Sequence, residues 1–199
     1  MTDHSPFRLV LASASPYRKQ QLAQLNIPFD VFKSHVDEEQ QPNETAPDLA
    51  LRLATAKAKA VQKKLGEEAL IIGCDQTAEC QSQILGKPGT RDKAIAQLLL
   101  SQQNQVIFHS GICLLNTKTG KILSDTVTTV VKFRPLSQSQ IENYIDKDAP
   151  LDCAGSFKCE GLGISLFESI HSDDPSALIG LPLIRLNHML LTMGLDTLL

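Results

Sequence analysis

The 199-residue chain has no tryptophan, and aromatic residues make up only 5% of it. Surfaces that stack sugars or single-stranded bases use several exposed rings, so carbohydrate and nucleic-acid binding are both disfavoured. Positive charge is not in excess either. The formal net charge is −3, which gives no overall field for a polyanion, so an anionic ligand would need a local basic pocket. The five cysteines (Cys74, Cys80, Cys113, Cys153, Cys159) are odd in number and form no C-x-x-C pair. That argues against a disulfide framework and a zinc knuckle and points to a reducing compartment, the cytoplasm. No window approaches the length of a membrane span, and MTDHSPFRLVLAS lacks a charged stretch followed by a long apolar one, so neither a membrane nor a secretory leader is expected.

What is present is an ordinary globular composition, 42% hydrophobic and 21% charged. A chain of this length buries roughly 70% of its unfolded surface around one core. No repeat, low-complexity tract or long linker divides it, and one domain over residues 1–199 is expected. Residues 8–13 (RLVLAS) read as a short strand ending at Ser15-Pro16, a helix opening with Ser as N-cap and Pro at the first position. The helix runs to about Leu25, a second strand covers Phe29–Lys33, and VDEEQQPNETAP is a polar loop before a long helix at roughly Ala46–Leu65. Residues 69–80 (ALIIGCDQTAEC) read as a buried strand turning polar at Asp75, QILG returns beside it, and a helix spans Thr90 to about Gln103. QVIFHSGICLLN and KILSDTVTTVVKF flank TKTG as a long hairpin. Ser137 and Gln140 make a capping box for a helix to about Lys147. A loop with Gly155, Gly161 and Gly163 leads into GISLFESI, and Pro182 opens a last helix with Leu183, Leu186, Leu190 and Leu191 on one face. Alternating strands and helices followed by a hairpin predict an α/β fold: a mixed, twisted sheet flanked by helices, with two lobes around a cleft.

Four places carry candidate chemistry. At Ser13-Ala14-Ser15-Pro16-Tyr17-Arg18-Lys19 a strand end meets a helix start, where free N–H groups, the helix dipole and Arg18 favour an anion; a bare cap is the commoner meaning of such a junction. On the long helix, at about 100° per residue, Leu49, Leu53, Ala56 and Ala60 cluster, and Lys57 falls inside their stripe. A lysine there must pair with an anion or snorkel to water. Asp75 stands at the polar end of an apolar strand, where a carboxylate holds a metal, orients water or simply closes a turn. Gly86-Lys87-Pro88-Gly89-Thr90 is not a P-loop, because Gln81 and Pro88 stand where Gly and Ser or Thr are required, but Lys87 can still meet a phosphate. G-x-G-x-x-G, G-x-S-x-G and H-E-x-x-H are all missing, and His4, His35, His109, His171 and His188 are scattered. The remaining cations (Arg18, Lys57, Lys87) and carboxylates (Asp37, Glu38, Asp75) suit a metal-bound polyphosphate.

Taken in order, LASASPYRKQQL, VDE, LATAKAKAV, CDQ, LGKP, CAGSFKCEGLG and IGLPLIRL resemble the motifs of the Maf family of nucleotide pyrophosphatases from about Leu9 to Leu191. The resemblance implies divalent-metal-dependent cleavage (Mg, Mn or Co) of a nucleoside triphosphate to the monophosphate and pyrophosphate. It also implies a fold similar to that of inosine triphosphate pyrophosphatases. Carried over by position, Ser13, Arg18, Lys57 and Lys87 bind phosphate, Glu38 and Asp75 hold the metal, and Asp75 accepts the proton of the attacking water.

Three departures from the commonest pattern bear on the base: Tyr17 after S-x-S-P, Gln76 after Cys74-Asp75, and Glu160 in place of a glutamine. They resemble the subgroup that acts on 7-methyl-GTP. Glu160 can accept from both N1–H and the 2-amino group of guanine, and an N7-methylated, cationic base gains attraction of about 0.5–2 kcal/mol from a ring such as Tyr17. The alternatives are another modified or pyrimidine nucleotide as substrate, or a nucleotide-binding regulator of cell division with little turnover. A homodimer is left open.

Overall fold

The computed structural model describes residues 8–199; Met1–Phe7, with His4 and the start of the stretch read for a leader, lie outside them. The chain runs β1 (Leu9–Leu11), α1 (Pro16–Ala23), β2 (Asp30–Val31), α2 (Ala46–Leu65), β3 (Leu70–Cys80), β4 (Gln83–Leu85), α3 (Arg91–Ser101), β5 (Gln105–Asn116), β6 (Ile122–Phe133), α4 (Gln138–Asp148), β7 (Phe167–Ser172) and α5 (Leu183–Thr192). Short 3₁₀ turns at Leu162–Leu166 and Pro175–Ile179 precede β7 and α5. The Ser15 cap and the Ser137–Gln140 capping box are as expected, and Thr45 and Thr90 likewise accept a backbone N–H from the first turns of α2 and α3. The second strand is two residues long rather than five.

The strands form one mixed sheet in the order β2-β1-β3-β5-β6-β7, with β4 added on β3. β1 is parallel to β2 and β3, and the other pairings are antiparallel. On one edge β3 pairs with β5 from Leu70 to Cys80. Its other edge is shared: β1 covers Leu70–Ile72 and β4 covers Ala78–Cys80. Residues 73–77 therefore have no strand beside them on that edge. Asp75 sits in this gap, in the middle of β3 and not at a strand end as the polarity change suggested; the ladder to β5 carries the backbone straight through it.

The gap separates two apolar cores threaded by the same long strands. At one end Leu9, Leu11, Leu70 and Ile72 pack with Leu22 of α1 and Leu186 and Leu190 of α5. At the other, Ala78, Leu85, Leu98 and Ile141 surround a chain of edge-to-face rings, Phe108–Phe157, Phe157–Phe133 and Phe133–Phe167, with centroids 5.2, 5.7 and 5.2 Å apart. On α5 the buried face is Leu186, Met189 and Leu190; Leu191, assigned to it by spacing, is 44% exposed.

Helix α2 lies across the sheet at the gap. Its buried stripe is Ala46, Leu49, Ala50, Leu53, Ala54, Lys57, Ala58 and Val61. It is rotated from the predicted one, so that Ala56 and Ala60 lie at its margin and the small residues Ala50, Ala54 and Ala58 meet the strands. The sheet receives them with glycine. A Cβ on Gly73 would lie 2.0 Å from the Ala54 carbonyl oxygen, and one on Gly111 would lie 2.4 Å from that of Ala50. Gly111 is the cross-strand partner of Asp75, so this approach sets the distance between α2 and the gap.

Gly111→Ala should therefore push α2 off the sheet. We expect urea unfolding to show a loss of about 1–3 kcal/mol, the usual range for overpacking; an unchanged midpoint would contradict so close a contact.

Candidate active site

Successive side chains of β3 point to opposite faces. Gly73, Asp75 and Thr77 face α2, and Cys74 and Gln76 face the 3₁₀ turn before α5. Toward α2, Thr77 donates to the Ala46 carbonyl at 2.8 Å, tying the start of the helix to the strand. About three turns further along the helix, the Lys57 ammonium lies 2.5 Å from Asp75 Oδ1 and 2.6 Å from Glu38 Oε1. The Lys57 and Asp75 side chains are 9% and 12% exposed, so this is a nearly buried ion pair, and Glu38 closes it from the polar loop at 55% exposure. The alternative that Lys57 snorkels to water is excluded by these partners.

Burial is the largest influence on Glu38 and opposes its ionisation. The hydrogen bond and charge of Lys57, with the fields of Lys87 and Arg18, outweigh it and hold the carboxyl below its ordinary value. Arg18 itself is fixed by donating from Nε to the Gly180 carbonyl at 2.9 Å and from Nη1 to the Cys74 carbonyl at 3.0 Å. The second bond satisfies a β3 carbonyl inside the gap that no strand reaches. Ser13 and Ser15 shape the entry to α1: the Ser15 N–H donates to Ser13 Oγ at 3.2 Å, and Ser15 Oγ accepts from the Arg18 N–H.

On the opposite face Gln76 spends its amide nitrogen on framework: it donates to Ser110 Oγ and to the carbonyls of Ala177 and Leu178 at 3.0, 2.9 and 3.1 Å. Gln21 does the same from α1, donating to the Ser176 and Leu181 carbonyls. The buried Asp174 completes the support, its carboxylate accepting from Ser176 and from the N–H groups of Ile184 and Arg185 at the start of α5. These bonds pin Pro175–Ile179 as a wall. The wall was not foreseen, because its anchors lie far away along the chain and leave no local pattern.

Nine of the residues singled out from the sequence (Ser13, Tyr17, Arg18, Glu38, Lys57, Asp75, Gln76, Lys87 and Glu160) line one cleft of about 640 Å³ at the gap; Asp37 does not, and its carboxylate accepts from the Glu39 N–H at 3.0 Å instead. Leu178 and Ile179 of the wall and Cys153, Phe157 and Cys159 of the loop after α4 line it too. Tyr17 stands across from that loop: burial raises its phenol pKa, and the nearby Cys153, Asp152 and Glu160 add to the rise.

Among the described residues no three His, Cys, Asp or Glu side chains converge as a metal cage. Glu38 and Asp75 nevertheless bring two hard oxygens to one point. That donor set fits a divalent ion of the magnesium kind, which takes one or two carboxylates and completes its shell with substrate phosphate and water.

The fold and cleft thus define a class: an α/β protein whose sheet opens, at a gap in one strand edge, into a nucleotide-sized site with three cations around two carboxylates. The chain belongs to the Maf family, whose profile, described as Maf-like protein, matches residues 8–193. It is 50% identical over 188 residues to a protein of Methylobacillus flagellatus named 7-methyl-GTP pyrophosphatase, covering 94% of this chain and 97% of that one. A protein of Saccharophagus degradans with the same name is also 50% identical, covering 94% of each chain. Among solved structures, the Ham1 protein of Staphylococcus aureus aligns with 63% of this chain and 71% of its own at 15% identity, with a TM-score of 0.46.

Burial, reinforced by Asp152 at one site and Glu160 at the other, pushes the Cys153 and Cys159 thiols up to about 12. Although both line the cleft, they should alkylate at pH 8 about 100-fold more slowly than a free thiol, once the greater nucleophilicity of a high-pKa thiolate is allowed for. Peptide mapping after iodoacetamide treatment checks this, and rapid labelling of either would contradict the burial.

Proposed function

We propose that this protein hydrolyses a nucleoside triphosphate, 7-methyl-GTP, between the α and β phosphates, releasing the monophosphate and pyrophosphate. The observation that carries the reading is the nearly buried Lys57–Asp75 pair, joined by Glu38, at the centre of a nucleotide-sized cleft. The names of relatives sharing half of its residues over nearly full length support the substrate. The reading treats the described chain as one catalytic domain. The five cysteines form no disulfide, which supports a reducing cytoplasm as its place of work, and no helix among the described residues is long and apolar enough to cross a membrane.

Ser13, Arg18, Lys57 and Lys87 hold the triphosphate. Arg18 commits two of its five N–H groups to carbonyls, which orients the rest of the fork for phosphate oxygens. Glu38 and Asp75 hold the divalent ion, Mg, Mn or Co. When bound, that ion neutralises phosphate charge and acidifies water. Asp75 takes the proton of the attacking water as its oxygen bonds to the α-phosphorus, and the bond from that phosphorus to the bridging oxygen breaks, releasing pyrophosphate. Glu160 accepts from the N1–H and 2-amino group of guanine. Tyr17 stacks on the cationic base, and Gln76 acts through its carbonyl oxygen and through the wall that it anchors.

The test is pyrophosphate release from 7-methyl-GTP, GTP, UTP and dTTP, with products identified by mass. 7-Methyl-GTP should show the highest kcat/KM. Glu160→Gln should lower that value by about 1–3 kcal/mol while leaving UTP nearly unchanged, because a charged acceptor facing a cationic base becomes a neutral amide. A wild-type preference for UTP or dTTP, or an equal loss on every nucleotide, would overturn the base assignment and leave the pyrophosphatase reading standing.

A further inference from the structure

Lys57 holds a position that another cation needs. Its ammonium is 2.6 Å from Glu38 Oε1 and 2.5 Å from Asp75 Oδ1, the two carboxylates assigned above to the divalent ion. Such an ion takes carboxylate oxygens at about 2.0–2.1 Å if it is magnesium, so an ion using this pair would fall in the volume that the Lys57 nitrogen fills. Ammonium and dication exclude each other there.

The surrounding charge acts in the same direction. Arg18 and Lys87 both bear on Glu38, so three cations stand around these two carboxylates; Asp152 and Glu160 line the cleft as well. The other nearby guanidinium, Arg52, is engaged with Glu44 at 2.5 Å and with the Glu39 carbonyl. A bare dication reaching the two carboxylates must displace Lys57 and stand among Arg18 and Lys87, whereas a dication carried on a triphosphate arrives with negative charge in excess. Lysine's four-carbon stem lets the ammonium change partners while α2 stays in place.

We infer that Lys57 is an internal counter-ion that keeps the free protein from taking up the metal alone, and that it moves from Glu38 and Asp75 to phosphate as a metal–triphosphate complex enters. This rests on the reading of the cleft as a triphosphate site. Its consequence is an order of assembly: the site takes metal and nucleotide together, and the metal-binding carboxylates are unmasked only by a ligand with anionic oxygens for Lys57.

The experiment is Mn²⁺ binding to nucleotide-free protein, with free Mn²⁺ counted by electron paramagnetic resonance. Lys57→Met should bind Mn²⁺ about 10- to 100-fold more tightly than wild type, the range over which neighbours of a metal site change its affinity. Adding Asp75→Asn to Lys57→Met should abolish the gain. Equal affinities in wild type and Lys57→Met overturn the inference. If circular dichroism shows that Lys57→Met does not fold, the lysine-ammonium ¹H–¹⁵N spectrum of wild type decides. Mg²⁺ alone should leave the Lys57 signal in place, and Mg²⁺ with a non-hydrolysable triphosphate analogue should shift it; a shift with Mg²⁺ alone overturns the inference. Failure of the nucleotide reading has a different signature, the absence of analogue binding with or without metal.

Discussion

The structure depends on bringing an ammonium and a carboxylate together with most of their surface buried. Lys57 and Asp75 come from a helix and a strand 18 positions apart in the chain, and they meet at 2.5 Å only because backbone packs directly on backbone between α2 and the sheet. Gly73 and Gly111 leave room for the carbonyls of Ala54 and Ala50; a larger residue at either would lift the helix and open the pair. Such a pair is a poor device for stability, since removing one partner of a buried pair typically costs about 3–5 kcal/mol and an apolar replacement of both is often neutral or better. Its presence in a cleft, joined by Glu38, is explained by chemistry rather than by folding.

The rest of the molecule places ligands around that pair. Splitting one edge of β3 between β1 and β4 leaves five residues without a strand neighbour on that edge, and the Arg18 guanidinium enters the gap to bond the Cys74 carbonyl. The separate cores at the two ends of β3 hold the walls apart. The 3₁₀ turn before α5 is fixed by Gln21, Gln76, Ser110 and Asp174, so this wall of the cleft is anchored from α1, β3 and β5 at once.

Much of this was legible in the sequence wherever the signal is local. Caps at Ser15 and Ser137, the TKTG hairpin and the long amphipathic helix all depend on neighbours within a few positions, and the structure has them. Lys57 stood out because a charge in an apolar stripe demands a partner. What spacing could not supply is depth and distance. The apolar stripe of α2 is rotated because alanines stand all round this helix, and hydropathy alone does not distinguish Ala50, Ala54 and Ala58, which meet the sheet, from Ala56 and Ala60. Asp75 was read at a strand end because polarity changes there, whereas the ladder to β5 continues past it. The anchored wall of residues 175–179 was missed because its bonds to Gln21 and Gln76 span more than a hundred positions.

The account stands or falls on whether the Lys57–Asp75 pair is the chemical centre of the cleft and not merely part of its frame. The most direct measurement is single-turnover hydrolysis of 7-methyl-GTP by Asp75→Asn, alongside binding of a non-hydrolysable analogue. An amide keeps the shape and the contact but cannot take the proton, so the rate should fall by about 10²–10⁴ with analogue affinity, measured without metal, within a few-fold of wild type. A rate near that of wild type would contradict the account, and would leave Asp75 as a structural partner of Lys57.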